Sequence, residues 1–266
     1  MRLTLVMGEV VSCVVLFAAC GVEPKSTSQP TAYEKASLTR GARLYDNWMK
    51  EKRVTPQGPN PGYALTPGKV TNAASTLRCN ECHGWDYRGA DGIYATGSHY
   101  TGVEGVLKAK EDEADELFEV IKNGIEGKAM TSFEGQQYAD ADVWDLVKFI
   151  KEGTLDLSGL IDSKGKPIGA DVAMGKTLFE QGLPGTDPGA TCAACHGPDG
   201  RRVNFHTLPQ SPEFLGTVAQ GNPWQFQHYV RFGYAGGPVM PAFNERGWTM
   251  KNIIDVLSYV QTLPVD

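Results

Sequence analysis

Apolar residues recur at helical spacing in two sets that follow the same order along the chain. Leu38, Gly41, Tyr45 and Trp48 lie at steps of three and four and predict one face of a helix over 37–52. A second helix is expected over 111–123. Its first turn is acidic (Glu111, Asp112, Glu113, Asp115, Glu116), which complements the helix dipole, and Gly124 supplies a C-cap. Val143, Leu146, Val147 and Ile150 predict a third helix over 142–152, ended by Gly153. The order then returns. Val172, Gly175 and Phe179 mark an opening helix, and Asn222 and Pro223 serve as N-cap and first helical residue of a helix over 224–232, closed by Gly233. A final helix is expected from about 250 to 262, before Pro264.

The two sets are in register. Met130 and Met240 differ by 110 positions, as do Phe133 and Phe243, Trp144 and Ile254, and Phe149 and Tyr259. The expected organisation is a first domain at 37–153, a linker at 154–167 and a second domain at 168–266. Between Glu51 and Leu77 the first half carries Pro56, Pro59, Pro61 and Pro67 with Gly58, Gly62 and Gly68, a density that excludes a long helix. The second half has no counterpart, so this stretch is an insertion.

Each half contains a CxxCH pentapeptide, Cys79-Asn80-Glu81-Cys82-His83 and Cys192-Ala193-Ala194-Cys195-His196. That is the signature of covalent c-type haem attachment, with two thiols on one side of a helical turn and the following histidine as proximal iron ligand. A single copy also fits a redox CxxC or half a zinc site. A zinc ribbon, however, places its second pair about 15 to 20 residues after the first, whereas Cys82 and Cys192 are 110 apart. Each pair therefore belongs to its own site, and two covalently bound haem c groups are expected. A haem iron held by His83 or His196 needs a second axial group or an open position. Met130 lies 47 residues after His83 and Met240 lies 44 after His196, each in a loop ahead of the last helix of its half. A loop methionine is otherwise core or rim filler.

With an opening helix bearing a glycine and an aromatic (Gly41 and Tyr45; Gly175 and Phe179), a CxxCH, a loop methionine and a terminal aromatic (Phe149; Tyr259), each half resembles a class I cytochrome c domain. The resemblance implies an all-α fold of two tandem cytochrome c domains, each with a covalently bound haem. It implies that the terminal helices cross where the glycine permits close approach, and that the sulfurs of Met130 and Met240 are the sixth iron ligands. It also implies that the carbonyl of the residue two places after the ligand histidine, Pro198 in the second half, accepts the ring hydrogen bond. The first half departs from the pattern, with Trp85 at that place and Thr131 where Pro241 follows Met240; a backbone carbonyl is available at Trp85 all the same. His99, His206 and His228 are expected at the surface or near the haem carboxylates, His228 on a helix position facing solvent.

At 266 residues, 41% apolar and 21% charged, the composition is that of a globular protein with room for two modest domains. A net charge of −6 argues against nucleic acid or an anionic lipid surface as partner and for a redox protein with a basic docking patch. Residues 1–19 resemble an export signal, with a basic start and a short apolar run too short to span a membrane. The run ends Leu16-Phe17-Ala18-Ala19-Cys20, which resembles a bacterial lipobox and implies a lipid anchor at Cys20. Residues 20–36 read as a polar tether. Of six cysteines, Cys13 leaves with the signal, Cys20 takes lipid and four are haem thiols. The expected function is an extracytoplasmic, periplasmic or cell-surface dihaem c-type cytochrome that passes single electrons, with no catalytic residues. The alternative is a dihaem oxidoreductase, like a thiosulfate dehydrogenase or a peroxidase, with the first haem as active site. The former enzymes use a cysteine ligand, and no free cysteine remains here.

Overall fold

The computed structural model describes residues 31–56, 60, 62, 77–133, 137–205, 212–237 and 240–265. The expected signal, the lipobox with Cys20, His206 and most of the proline- and glycine-rich insertion lie outside the described residues. Ten α-helices occur among them: α1 Ala32–Lys35, α2 Leu38–Lys52, α3 Cys79–His83, α4 Ala114–Asn123, α5 Asp140–Lys148, α6 Val172–Gln181, α7 Cys192–His196, α8 Leu215–Gly221, α9 Pro223–Phe232 and α10 Met250–Val260. A π-turn, Phe149–Gly153, prolongs α5. Bridge pairs among the described residues are isolated ones, such as Gly89 with Glu104 and Gly124 with Thr131. The chain is thus all-α.

The halves are built alike. In the first, α2 crosses α5; in the second, α6 crosses α10. Backbones meet so closely at the crossings that a Cβ on Gly41 would stand 1.9 Å from the Asp145 carbonyl oxygen, and one on Gly175 would stand 1.9 Å from that of Asp255. Contact this close is open only to glycine. The same two aspartates hold the helix starts: Asp145 Oδ1 accepts from the Ser37 amide at 2.6 Å, and Asp255 Oδ1 accepts from the Asp171 amide at 2.7 Å. Ser37 and Asp171 are the N-caps of α2 and α6, so each terminal helix anchors the beginning of its opening helix. Behind the crossings the aromatic pairs Tyr45–Phe149 and Phe179–Tyr259 pack at centroid distances of 5.2 and 5.4 Å.

Residues 31–266 form one compact unit that contains two apolar cores. The expected linker is itself packed: Leu157 is buried in the first core and Ile161 in the second. Burial of a large aliphatic side chain stabilises by roughly 1.5–3 kcal/mol, so this segment contributes to both cores as well as joining them. At the other end, α1 stands in the stretch expected as tether. Its Tyr33 hydroxyl donates to Glu152 at 2.8 Å and its ring meets Trp144 edge-on at 6.4 Å.

One expectation about the second half is overturned. His228, on α9, does not face solvent: it is 0% exposed and sits in the aromatic centre of the first half. Its ring lies 5.1 Å from Trp85, 5.7 Å from Phe149 and 6.0 Å from both Tyr45 and Tyr87. Because α9 packs on α2 of the other half, the face that helical periodicity assigns to water in an isolated domain is here an interface between halves.

Candidate cofactor site

In the first half the CxxCH turn α3 is pinned to α2 by its own non-cysteine residues. Asn80 is 0% exposed, and its amide donates to the carbonyls of Tyr45 and Asp46 at 3.2 and 2.6 Å. Arg78, just ahead of the turn, donates to the Asp46 carbonyl and carboxylate, both at 2.8 Å. The turn ends at Gly84, φ +77°, whose carbonyl accepts from the Tyr45 hydroxyl at 2.6 Å. Five bonds to one stretch of α2 thus set the direction in which Cys79, Cys82 and His83 project.

They project into a cavity that also takes in Met130, Tyr45, Leu146 and Ile150 on its wall. Burial pushes the Cys79 thiol up to about 12 and the Cys82 thiol up to about 11. These are unactivated thiols rather than the lowered ones of redox CxxC motifs. Among the described residues no group of three or more His, Cys, Asp or Glu is arranged to hold a metal ion. The donor set at the cavity is thus two neutral thiols, one imidazole and one thioether on an apolar wall, which fits a haem attached through its vinyl groups. Tyr138 adds a further sign of fit. Its hydroxyl lies at this cavity, buried and without a partner among the described residues, an arrangement that costs about 1–3 kcal/mol unless the occupant offers an acceptor.

His83 is fixed in a way the sequence did not indicate. Nδ1 lies 2.6 Å from the carbonyl oxygen of Glu104, 21 residues on, rather than at that of Trp85. A carbonyl only accepts, so Nδ1 carries the proton and Nε2 is the nitrogen left for a metal. Burial lowers the His83 pKa and keeps the ring neutral. The local backbone explains the change of acceptor. Tyr87 adopts φ +65° and turns the chain back, and Gly105 lets the 103–107 segment lie against it. A Cβ on Gly105 would stand 2.1 Å from the Tyr87 carbonyl oxygen. Trp85, released from the role, is 4% exposed and packs on His228 and Tyr229.

The second motif is built with less support. Thr191 caps α7 by accepting from the Ala194 amide at 3.2 Å. Cys192 and Met240 pack on the same core, Cys195 is exposed, and burial lowers the His196 pKa. Nδ1 of His196 is buried with no hydrogen-bond partner among the described residues, so the Pro198 carbonyl does not take the expected bond. Both methionines are placed by a helix C-cap. A Cβ on Gly124, φ +73°, would stand 2.8 Å from the Met130 carbonyl oxygen, and one on Gly233, φ +77°, would stand 2.6 Å from that of Met240. The Ile125 amide also donates to the Met130 carbonyl at 2.8 Å. His99 stacks on Tyr94 at 4.9 Å with its side chain 54% exposed, at the surface as expected.

The supporting roles of Asn80, Glu104 and Tyr138 escaped the reading of the sequence, and His228 was placed at the surface instead of in the first core. Asn80 lies between two recognised cysteines, but the other three act through contacts that no spacing rule encodes.

A family model described as cytochrome c oxidase, cbb3-type, subunit III matches the chain over residues 64–150 and 171–260. Among solved structures, a chain of the reducing HAO-like protein complex of Kuenenia stuttgartiensis is 16% identical to it, with 74% of this chain and 98% of that one covered and a TM-score of 0.26. At that overlap it bears on neither fold nor function. No curated protein matches the chain.

Proposed function

The chain belongs to the family of cytochrome c oxidase, cbb3-type, subunit III, and from that membership we propose that it is a dihaem electron carrier with one haem c on each CxxCH motif. Covalent haem c and a role in electron transfer come with the family; the count and the ligands are the proposal. It is carried by the first cavity, whose wall joins Cys79, Cys82, His83 and Met130. When bound, haem supplies a one-electron iron couple.

The protein groups divide the remaining work. Cys79 and Cys82 would hold a haem through thioether links, and Nε2 of His83 and the Met130 sulfur would be the groups that ligate its iron. The apolar wall excludes water, which together with methionine ligation favours a high potential. The Tyr138 hydroxyl would donate to an acceptor on the bound group. By the repeat, offset by 113 positions at the CxxCH motif and 110 at the methionine, Cys192, Cys195, His196 and Met240 take the same parts in the second half. The halves at 37–153 and 168–266 serve as the two domains, joined through 154–167. The protein works outside the cytoplasm, held to the membrane by lipid on Cys20, and exchanges electrons with a partner that presents a basic patch to its net charge of −6. A family described as a subunit supports work within a larger oxidoreductase.

The test is spectroscopic. A pyridine haemochrome assay should count two haems per chain, and the ferric protein should show the long-wavelength methionine-to-iron band of both. Met130→Ala and Met240→Ala should each remove half of that band. A single haem, or a high-spin first haem in the unaltered protein, would overturn the proposal in favour of an enzyme with its active site at His83. Cys20→Ala should release the protein from membranes.

A further inference from the structure

Nothing in the family match accounts for His228, a histidine of the second half enclosed by the first. Its two nitrogens are both engaged. Nε2 lies 3.0 Å from the Ala42 carbonyl oxygen, and Nδ1 lies 2.9 Å from the Tyr87 hydroxyl. A carbonyl can only accept, so Nε2 carries the proton, Nδ1 accepts, and the Tyr87 hydroxyl donates. Gln227 adds a donor to the same hydroxyl at 3.2 Å. Tyr87 is thereby held from the second half.

Tyr87 in turn holds the acceptor of His83. It is one of few non-glycine residues at positive φ, a conformation that costs a Cβ-bearing residue about 1–2 kcal/mol. In this conformation its carbonyl accepts from the Leu107 amide at 2.9 Å, while the neighbouring Ala90 amide donates to the Val103 carbonyl at 2.8 Å. Between those two bonds lies Glu104, whose carbonyl oxygen is 2.6 Å from Nδ1 of His83. A continuous path of hydrogen bonds and one short backbone segment runs from His228 through Tyr87 and residues 103–107 to His83.

We infer that His228 is a positioning residue for His83, through which the second half of the chain sets the electronic character of the first haem. The inference rests on His83 being an iron ligand. A firm Nδ1–H···O=C bond makes imidazole a stronger donor and favours ferric iron. Release of Tyr87 lets its backbone leave the strained region and carries the Glu104 carbonyl away from the ring. The bond weakens and the first haem becomes easier to reduce. His196, whose Nδ1 has no partner among the described residues, is not served by this path.

The test is a redox titration of the full-length holoprotein with Tyr87→Phe, which removes one hydroxyl, and His228→Phe, which keeps a ring in the space. Met130→His identifies the wave of the first haem by displacing it. Each of the two variants should raise that wave alone, changing the partition of electrons between the haems about tenfold, which a one-electron couple registers as about 59 mV. An unmoved or lowered first wave, or equal movement of both waves, in Tyr87→Phe overturns the inference. If Met130→His moves neither wave, the ligand assignment fails instead, and the Tyr87→Phe comparison still reads on whichever wave moves.

Discussion

Acidification should loosen the contact between the halves through one side chain. Burial, with the nearby guanidinium groups of Arg231 and Arg78 acting in the same direction, lowers the His228 pKa from its ordinary 6.5 to about 3, against the opposing bond to the Ala42 carbonyl. The phenols of Tyr45, Tyr87 and Tyr229 that surround the ring stay neutral throughout this range. A histidine held neutral in the folded state binds its proton only on unfolding. Between about pH 6.5 and 3 the unfolded chain therefore carries the extra proton, and stability falls as pH falls. At 1.36 kcal/mol per unit, the drop from about pH 7 to 4 amounts to about 3 kcal/mol from this residue alone. That is a large part of a typical stability of about 5–15 kcal/mol. Guanidinium unfolding followed by circular dichroism at a series of pH values gives the stability at each, and His228→Gln supplies a side chain that does not titrate. Carboxylates such as Asp142, held below their usual range, titrate in both proteins and cancel in the comparison. The unaltered protein should lose about 3 kcal/mol more than His228→Gln over this interval. Parallel pH profiles would refute the reasoning.

Gly41→Ala and Gly175→Ala should each destabilise by about 1–3 kcal/mol or more, because the new methyl meets a carbonyl oxygen at 1.9 Å in both crossings; thermal melts read the loss. Gly124→Ala forces a Cβ into φ +73° beside the Met130 carbonyl, and should cost about 1–2 kcal/mol and weaken the methionine band of the first haem but not of the second. Arg78→Ala leaves Asp46 buried without its cation; a loss of about 3–5 kcal/mol in chemical denaturation is expected. Tyr138→Phe should lower the stability of the haem-loaded protein if its hydroxyl is satisfied by the occupant, measured by the same denaturation series.

What the sequence made legible follows a physical boundary. Helices α2, α5, α6, α9 and α10 were readable because their apolar positions recur over two or more turns and glycine, asparagine or proline marks their ends. Asn222, expected as an N-cap, does accept from the Gln225 amide at 3.0 Å. The acidic helix begins at Ala114 rather than at 111, since Lys108–Glu111 forms a separate 3-10 turn. Helix α8 was missed because its buried residues, Leu215, Gly216 and Ala219, span a single turn, too little for a period. The candidate ligands were legible because CxxCH is a local motif and the methionines repeat at a fixed offset. Their support was not, because it depends on residues distant in the chain: Glu104 replaces Trp85 as ring acceptor, and His228 crosses from the other half. A solvent-facing helix position cannot be distinguished from an interface by periodicity when the partner surface belongs to the same chain.

The burial of His228 also has a meaning for how the protein is made. Chains emerge and fold N-terminus first, yet the aromatic centre of the first half is closed by a residue 145 positions beyond His83. Until α9 has been synthesised, Tyr45, Trp85, Tyr87 and Phe149 surround an empty place. The half that is translated first is therefore the half whose core is completed last.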